Sequence, residues 1–181
     1  WLGSCFGPGG WMRTYTGYGI AIGSNPRHGR HGSPASVVAA SLKALEKHGL
    51  AIKARSRVHH TAALGPAGRQ FANAAAIVRG TLEPPRMLAL LKQVERRFGR
   101  RPGRRWGARV LDLDIILWSG GRWMERGLAI PHRAIAARGF VLRPLVEVAA
   151  DWPVPRCGGK VRHLLARHNR RRPIDQRRSN T

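Results

Sequence analysis

The stretch Val110-Leu-Asp-Leu-Asp-Ile-Ile-Leu117 is apolar except for two aspartates, which are two of only nine acidic residues in this 181-residue chain. A β-strand alternates its side chains between two faces, so Asp112 and Asp114 are predicted to share one face. The alternate apolar residues would line the other face: Leu111, Leu113 and Ile115. The two carboxylates would repel by about 2–3 kcal/mol if their Cα atoms lie roughly 7 Å apart at an effective dielectric near 20. Something cationic must offset that repulsion, so the stretch predicts a core strand that carries a candidate metal site.

The residues on the N-terminal side of this stretch alternate between strand and helix patterns. Ser33 and Pro34 form an N-cap pair before an apolar helical stripe, and Gly99 ends a second stripe of the same kind. The predicted elements are strand 18–23, helix 34–48, strand 50–58, strand 71–79, helix 84–98 and strand 110–117. This β-α-β-β-α-β order is that of an α+β, ferredoxin-like sandwich with an antiparallel sheet and helices on one face. Added C-terminal elements are expected at 128–132, 140–145 and 161–168.

The length suits one domain, which we predict over residues 18–168. Residues 1–17 are predicted to be a disordered or non-native extension, and 169–181 a basic tail. No apolar stretch reaches 18 residues, so no membrane span is indicated. The two cysteines, Cys5 and Cys157, lie far apart and lack partners at ligand spacing. We therefore expect neither a disulfide framework nor a zinc site, and a reducing cytoplasmic location.

The net charge of +24 invites a nucleic-acid interpretation. However, 28 of the 33 basic residues are arginines that are scattered through helices, loops and both ends of the chain. A polynucleotide footprint requires a clustered basic face. We therefore expect small polyanionic substrates and no nucleic acid. Separately, we expect a monomer.

The run Arg105-Trp-Gly-Ala-Arg-Val-Leu-Asp-Leu-Asp-Ile115 resembles the signature of the 6-hydroxymethyl-7,8-dihydropterin pyrophosphokinase family. Four further segments agree in order: Ala21-Ile-Gly-Ser-Asn25, 61–66 with 71–75, Glu95-Arg-Arg-Phe-Gly-Arg100, and Ile130-Pro-His132 with Arg138-Gly-Phe140. Together they span about residues 18–165. The resemblance implies the ferredoxin-like fold with added elements, and transfer of the β,γ-pyrophosphate of ATP to the hydroxymethyl group of a dihydropterin, with release of AMP.

The resemblance also implies roles for individual residues. Asp112 and Asp114 would hold two Mg²⁺ ions that bridge the triphosphate, and Arg100 and Arg109 would be catalytic contacts to the phosphates. The implied ATP contacts are Glu95, Trp106, Ile115, His132 and Arg138. The implied pterin contacts are Thr61, Leu64, Phe71, Asn73 and Phe140, with the two phenylalanines sandwiching the ring.

The chain departs from the family pattern at several positions, of which two bear on the implied phosphate and nucleotide contacts. Pro102 stands where a second loop arginine is usual, and Arg104 is a candidate replacement. Lys92 stands where the family often has glutamine.

Two alternatives stay open at this point. A nucleic-acid-binding module of the same sandwich class would show aromatic pairs on exposed strands, whereas 110–117 carries acids there. Another metal-dependent transferase that binds a nucleotide through the Asp-x-Asp pair would make the pterin residues a coincidence.

Overall fold

The structure of the protein is a computed structural model that describes residues 15–25, 27–61, 71–99 and 110–170. The strands in these residues are β1 (Thr16–Ser24), β2 (Ala51–Arg55), β3 (His59–Thr61), β4 (Phe71–Gly80), β5 (Asp112–Trp118), β6 (Trp123–Glu125) and β7 (Leu128–Ile130). The α-helices are α1 (Pro34–Lys47), α2 (Pro84–Arg97), α3 (Gly139–Ala149) and α4 (Val161–Arg170), and a 3₁₀ turn covers Ile135–Ala137.

The main sheet is antiparallel at every pairing, with the order β2-β4-β1-β5 and with β3 on the same edge of β4. Strands β6 and β7 form a separate hairpin. The chain is therefore an α+β fold, as predicted, and the strand order is compatible with a ferredoxin-like sandwich. Strand β1 lies inside the sheet, where it pairs with β4 on one side and with β5 on the other. It therefore brings together two strands that lie far apart in the sequence.

Helices α1 and α2 cover one face of the sheet. Strand β1 contributes alternate residues to this core, with Tyr18, Ile20 and Ile22 all at most 1% exposed. The predicted alternation of the Asp-x-Asp strand is confirmed, since its apolar residues join the same core: Leu111, Leu113 and Ile115. The two aspartates consequently lie on the opposite face.

The predicted start of α1 is confirmed by its capping contact, and the predicted stops of α1 and α2 by the glycines that follow them. The hydroxyl of Ser33 accepts a hydrogen bond from the Ser36 N–H at 3.2 Å, which satisfies one of the free donors of the first turn. Both helices end just before a glycine with positive φ, at +82° for Gly49 and +85° for Gly99. An L-residue is strained in this conformation, so glycine stops each helix efficiently.

The two helices of the predicted sandwich, α1 and α2, share one face, and the added C-terminal helices α3 and α4 pack on the second face. Their core includes Leu142 and Leu145, which pack with Ile116 and Leu117 of β5. The short element predicted at 140–145 is part of α3, which contains Pro144 and so lacks one helical hydrogen bond. The helix forms because its apolar face is buried against the sheet.

The strand predicted at 50–58 is shorter, since β2 covers Ala51–Arg55, and a separate strand, β3 (His59–Thr61), follows it. The backbone and side chain of Ser56 interrupt the ladder between them. Its N–H donates to the Ala75 carbonyl and its hydroxyl accepts from the Ala75 N–H, both at 2.9 Å. A single serine thus replaces a regular strand pairing, and β3 pairs with the first three residues of β4, whereas β2 pairs with its second half.

The ordered elements extend slightly beyond the predicted domain, since β1 begins at Thr16 and α4 ends at Arg170. The predicted extension, apart from 15–17, and the predicted tail, apart from 169–170, lie outside the described residues. Among the helices of the described ranges, none is both long and apolar enough to cross a membrane.

Candidate active site

A row of paired residues crosses the second face of the sheet at its open end. Gly23 of β1 pairs with Asn73 of β4 on one side and with Asp112 of β5 on the other. Neighbouring strands lie about 4.8 Å apart, so Asn73 and Asp112 are separated by roughly 10 Å across a residue that has no side chain. The predicted pterin side and the predicted metal side therefore meet at Gly23.

The next row toward the centre of the sheet places Asp114 beside small residues. Ala21 pairs with Asp114 and with Ala75. Because residues two apart in a strand share a face, the two aspartates project to the same side, and each remains partly exposed. The prediction that these carboxylates share a face is confirmed.

Two cations flank the carboxylate of Asp114. The Lys92 Nζ lies 3.9 Å from its Oδ1, and the Arg138 Nη1 lies 3.7 Å from its Oδ2. All three side chains are about one-third exposed, at 30–38%, so they can also reach solvent or a ligand. The cationic offset expected for the Asp-x-Asp strand is thus present, and protein side chains supply part of it.

Glu95 is completely buried and holds β5 at the edge of the sheet. Its Oε1 accepts a hydrogen bond from the Leu113 N–H at 2.8 Å and another from the Lys92 Nζ at the same distance. The same ammonium donates to the Leu113 carbonyl at 3.3 Å. Two side chains of α2 therefore satisfy the edge backbone groups between the two aspartates, where a further strand would otherwise bind.

His132 follows β7 and belongs to the electrostatic surroundings of the aspartates. Burial lowers the pKa of His132, while the negative charges of Asp114 and Asp112 act in the opposite direction. Its Nδ1 accepts a hydrogen bond from the Ala134 N–H at 3.1 Å. The neutral imidazole therefore carries its proton on Nε2, which leaves one N–H available as a donor.

The predicted pterin residues form the other half of the site. Asn73 is only 8% exposed, and its Nδ2 donates to the Thr61 hydroxyl at 2.8 Å, which leaves that hydroxyl free to donate. By contrast, Phe71 and Phe140 are 36% and 45% exposed. Large aromatic side chains are normally buried, so two exposed ones among the predicted pterin residues suggest surfaces for a flat ring.

Arg138 links the two halves of the site. Its guanidinium carbon lies 5.9 Å from the centroid of the Phe140 ring, within cation–π range, while its Nη1 faces Asp114. Arg138 also forms the N-terminal boundary of α3. One side chain thus contacts a predicted pterin wall and a predicted metal ligand.

A cluster of hydrogen bonds around Glu147 joins α3 to β3 and to Arg57, which precedes β3. We call this cluster the brace. The carboxylate of Glu147 accepts hydrogen bonds from the Arg57 N–H at 2.9 Å, the Arg57 guanidinium at 3.1 Å and the His59 Nε2 at 2.7 Å. These bonds, the Arg57 backbone N–H above all, lower the pKa of Glu147 to about 2. The brace matters for the site because β3 ends at Thr61 and α3 begins next to Phe140.

The structure brings together most of the predicted site residues that it describes. Around the open end of the sheet lie Thr61, Asn73, Asp112, Asp114, His132, Arg138 and Phe140, with Phe71 at the start of β4. Ile115 does not join them, because its side chain is 3% exposed in the core on the opposite face. The remaining predicted residues lie outside the described residues: Leu64, Arg100, Arg104, Trp106 and Arg109.

Two contributions to the site were not predicted from the sequence. Lys92 had a detectable signal, since its i,i+3 spacing from Glu95 places the two side chains together on α2. Glu147 had none, because its partners lie 88 and 90 residues away in the chain.

The residues present suit a hard divalent cation that is bound jointly with phosphates. The described ranges contain no cluster of three or more His, Cys, Asp or Glu side chains that could hold a metal by themselves. Mg²⁺ is usually held by one or two carboxylates while water and substrate phosphates complete its shell. The pair of Asp112 and Asp114 meets that requirement.

Comparison with known proteins decides the family. A sequence profile of the 7,8-dihydro-6-hydroxymethylpterin-pyrophosphokinase family (HPPK) matches residues 19–150. The chain belongs to this family. As an HPPK, it transfers a pyrophosphoryl group to hydroxymethyldihydropterin in folate synthesis. The matched range includes the Asp-x-Asp strand, the Gly23 row and the predicted pterin residues.

Two relatives and one solved structure show how far the likeness extends. An HPPK from Methylorubrum extorquens is 33% identical over 157 residues, which cover 86% of this chain and 92% of the relative. One from Synechocystis is 36% identical over 117 residues, covering 65% of this chain and 60% of the relative. The crystal structure of Plasmodium falciparum HPPK-DHPS superimposes with a TM-score of 0.68 at 13% identity, covering 86% of this chain and 41% of that one. At this identity the structural match shows a common fold.

Proposed function

We propose that the pyrophosphoryl donor is ATP and that the transfer takes place above Gly23. The observation that carries this proposal is the row Asn73–Gly23–Asp112. An amide suited to the edge of a pterin lies on one side of Gly23, and a carboxylate suited to a metal lies on the other. Gly23 itself has no side chain between them. The hydroxymethyl oxygen attacks the β-phosphorus, the bond from that phosphorus to the α,β-bridging oxygen breaks, and the hydroxyl proton is lost to water. AMP leaves with the bridging oxygen.

The metal half is assigned to Asp112 and Asp114, which would hold two Mg²⁺ ions together with phosphate oxygens and water. When bound, the ions neutralise the triphosphate and polarise the β-phosphoryl group. Lys92 and Arg138 already lie within 4 Å of Asp114, so they add fixed positive charge beside the same phosphates. Such preorganised charge is the main catalytic contribution that a protein makes in phosphoryl-type transfer.

The pterin half is assigned to two aromatic walls and a polar floor. Phe71 and Phe140, which are 36% and 45% exposed, would stack on the two sides of the ring. Asn73 and Thr61 offer both donors and acceptors, as the edge of a pterin requires. Leu64 is assigned to the same pocket by sequence.

The remaining nucleotide contacts are assigned with different roles. His132 can donate from Nε2 and Arg138 from its guanidinium, so both suit phosphate oxygens. Glu95 and Ile115 have buried side chains, so we assign Glu95 to positioning β5 and restrict Ile115 to a backbone contact. Arg100 and Arg109 as catalytic residues and Trp106 as an ATP contact are assigned by sequence.

The same proposal covers the setting of the enzyme. The fold is assigned to the ferredoxin-like class, with one domain over residues 18–168, because the strand order and the helices α1 and α2 match that pattern. The enzyme is expected to act as a monomer in the cytoplasm on small-molecule substrates.

Product analysis tests the proposal. The wild-type chain, incubated with Mg²⁺, ATP and 6-hydroxymethyl-7,8-dihydropterin, should form AMP and the pterin diphosphate in equal amounts, measured by chromatography. Omission of the pterin should abolish AMP formation. Formation of ADP, or an AMP rate that is independent of the pterin, would contradict the assigned reaction.

A substitution in the metal half tests the residue assignment. Asp114→Asn keeps the shape of the side chain but removes its charge, so the rate of AMP formation should fall at least about 100-fold. The midpoint of thermal unfolding should stay within about 3 °C, because the side chain is partly exposed. Asp151→Asn is the matched control, since Asp151 is a 63% exposed side chain in a surface ion pair. Equal rates in the two variants would rule out Asp114 as a metal ligand.

A further inference from the structure

The residue at the centre of the row Asn73–Gly23–Asp112 is a glycine, although the backbone conformation at this position does not require one. Gly23 lies in the regular part of β1, and its φ is outside the left-handed region that favours glycine. A glycine inside a strand weakens it, because it adds backbone entropy to the unfolded chain and contributes no packing. The structure of the sheet by itself therefore favours a larger residue at this position.

The space beside Gly23 would also accept a larger residue in the absence of a ligand. A Cβ at this position would lie 3.7 Å from the Asn73 Oδ1 and 3.9 Å from the Asp112 Cβ, which are ordinary van der Waals distances. Neither neighbour would have to move to accommodate a methyl group. We call this space, above Gly23 and between Asn73 and Asp112, the Gly23 gap.

The atoms around the Gly23 gap point to a ligand rather than to packing. Asn73 is 8% exposed, and its Oδ1 lies 3.7 Å from the place of a Gly23 Cβ, where it can accept a hydrogen bond from a ligand in the gap. On the opposite wall, the Asp112 carboxylate belongs to the proposed metal half.

We propose that Gly23 is the residue that sets the distance between the two substrates, so that any side chain there separates the pterin hydroxymethyl group from the β-phosphorus. This inference rests on the proposed function and adds a specificity-determining position to it. The substrates approach from opposite walls, and a methyl group would occupy the line along which the new oxygen–phosphorus bond forms. A displacement of about 1 Å at a reacting centre can lower the rate about 100-fold.

The inference predicts an unusual combination of effects for Gly23→Ala. The variant should be as stable as the wild type or melt about 1–4 °C higher, because alanine restricts the unfolded chain. Two Kd values should stay within about threefold of those of the wild type: that for the pterin without nucleotide, and that for the ATP analogue α,β-methylene-ATP with Mg²⁺ but without pterin. Its kcat should nevertheless fall about 100-fold or more. Gly23→Ser provides a second side chain of similar size in case one variant folds poorly.

Gly17→Ala is a matched control on the same strand and the same face. The added Cβ would lie 3.5 Å from a Trp152 ring carbon and 3.8 Å from the Ser119 Cβ, so it is equally well accommodated. Gly17 lies six residues away, roughly 20 Å along the strand, and no proposed site residue touches it. We expect kcat and both Kd values of this variant within about twofold of the wild type.

The outcomes separate the two proposals. A wild-type chain that forms no AMP from ATP and the pterin overturns the proposed function. If the wild type forms AMP and Gly23→Ala forms it at the same rate, the Gly23 inference is overturned and the proposed function stands. Loss of pterin binding in Gly23→Ala also overturns the inference, because it would make Gly23 part of one binding pocket. Retained binding of both ligands with a lost rate supports it.

Discussion

Replacing Glu95 with alanine would remove the side chain that holds the Asp-x-Asp strand in place. The Glu95 carboxylate is fully buried, accepts from the Leu113 N–H at 2.8 Å and binds the Lys92 ammonium at 2.8 Å. Leu113 lies between the two aspartates, on the edge strand of the sheet. The substitution therefore tests whether α2 determines the position of the metal half.

The expected loss of stability follows from the two groups that would lose their partner. A buried backbone N–H without an acceptor costs about 1–3 kcal/mol, and a hydrogen bond to a charged group contributes about 1.5–3 kcal/mol. Lys92 is 32% exposed and can regain water, which reduces its share of the loss. We expect the free energy of unfolding to fall by about 3–4 kcal/mol, within the range for breaking a buried ion pair. This corresponds to a decrease of roughly 8–14 °C in the unfolding midpoint.

Two further variants make the measurement specific. Glu95→Gln keeps an acceptor for Leu113 and loses only the charge, so it should cost about half as much as the alanine variant. Glu46→Ala is the matched control, because Glu46 is an exposed acid near the C-terminal end of α1. Its substitution removes the same unit of charge. Its free energy of unfolding should change by at most about 0.5 kcal/mol.

Urea unfolding followed by circular dichroism at neutral pH measures these differences directly, provided that the transition is two-state. A double-mutant cycle with Lys92→Met should give a coupling energy of about 1–3 kcal/mol between Lys92 and Glu95. If Glu95→Ala is no less stable than Glu46→Ala, the carboxylate does not hold β5, and the role assigned to it here is wrong.

Two other predictions concern the pterin half. Because the pKa of Glu147 is lowered to about 2, the brace stabilises the protein above the ordinary glutamate pKa and is lost as the pH falls from about 4.5 toward 2. Glu147→Gln should remove about 1 kcal/mol of this pH-dependent stability, a figure reduced by solvent screening. Urea unfolding at pH 6 and pH 3 measures the difference. If the free energy of unfolding changes equally with pH in the variant and the wild type, the brace is contradicted. Phe140→Ala should raise the Kd for the pterin about 10- to 100-fold in calorimetry and leave Mg²⁺-nucleotide binding unchanged. Met124→Ala, which truncates another exposed apolar residue in β6, should change neither, and an equal loss in both variants would contradict the stacking role.

The elements that depend on near neighbours in the chain could be predicted well. The alternation of Leu111, Leu113 and Ile115 against the two aspartates identified both faces of β5, and the Ser33 cap and Gly99 located helix ends. These patterns arise from the two-residue period of a strand and from the free backbone groups at the ends of a helix. Each can be recognised within a window of a few residues.

Family resemblance extended the prediction to the site, because it connected segments that are distant in the chain. It grouped Asn73, Asp112 and Phe140 in one predicted site. It did not identify Lys92 or Glu147 as part of the site, since their contributions depend on contacts of this particular chain.

The sequence by itself determined which side chains could bind a metal, a phosphate or a flat ring, and on which face of its own strand each one lies. Only the tertiary structure decided that Asn73 and Asp112 flank Gly23, that α3 covers the second face, and that Glu147 joins β3 to α3. The physical reason is that strand register and helix docking depend on packing between segments 50 to 90 residues apart. No local pattern encodes such a distance, because it results from the fit of the whole core.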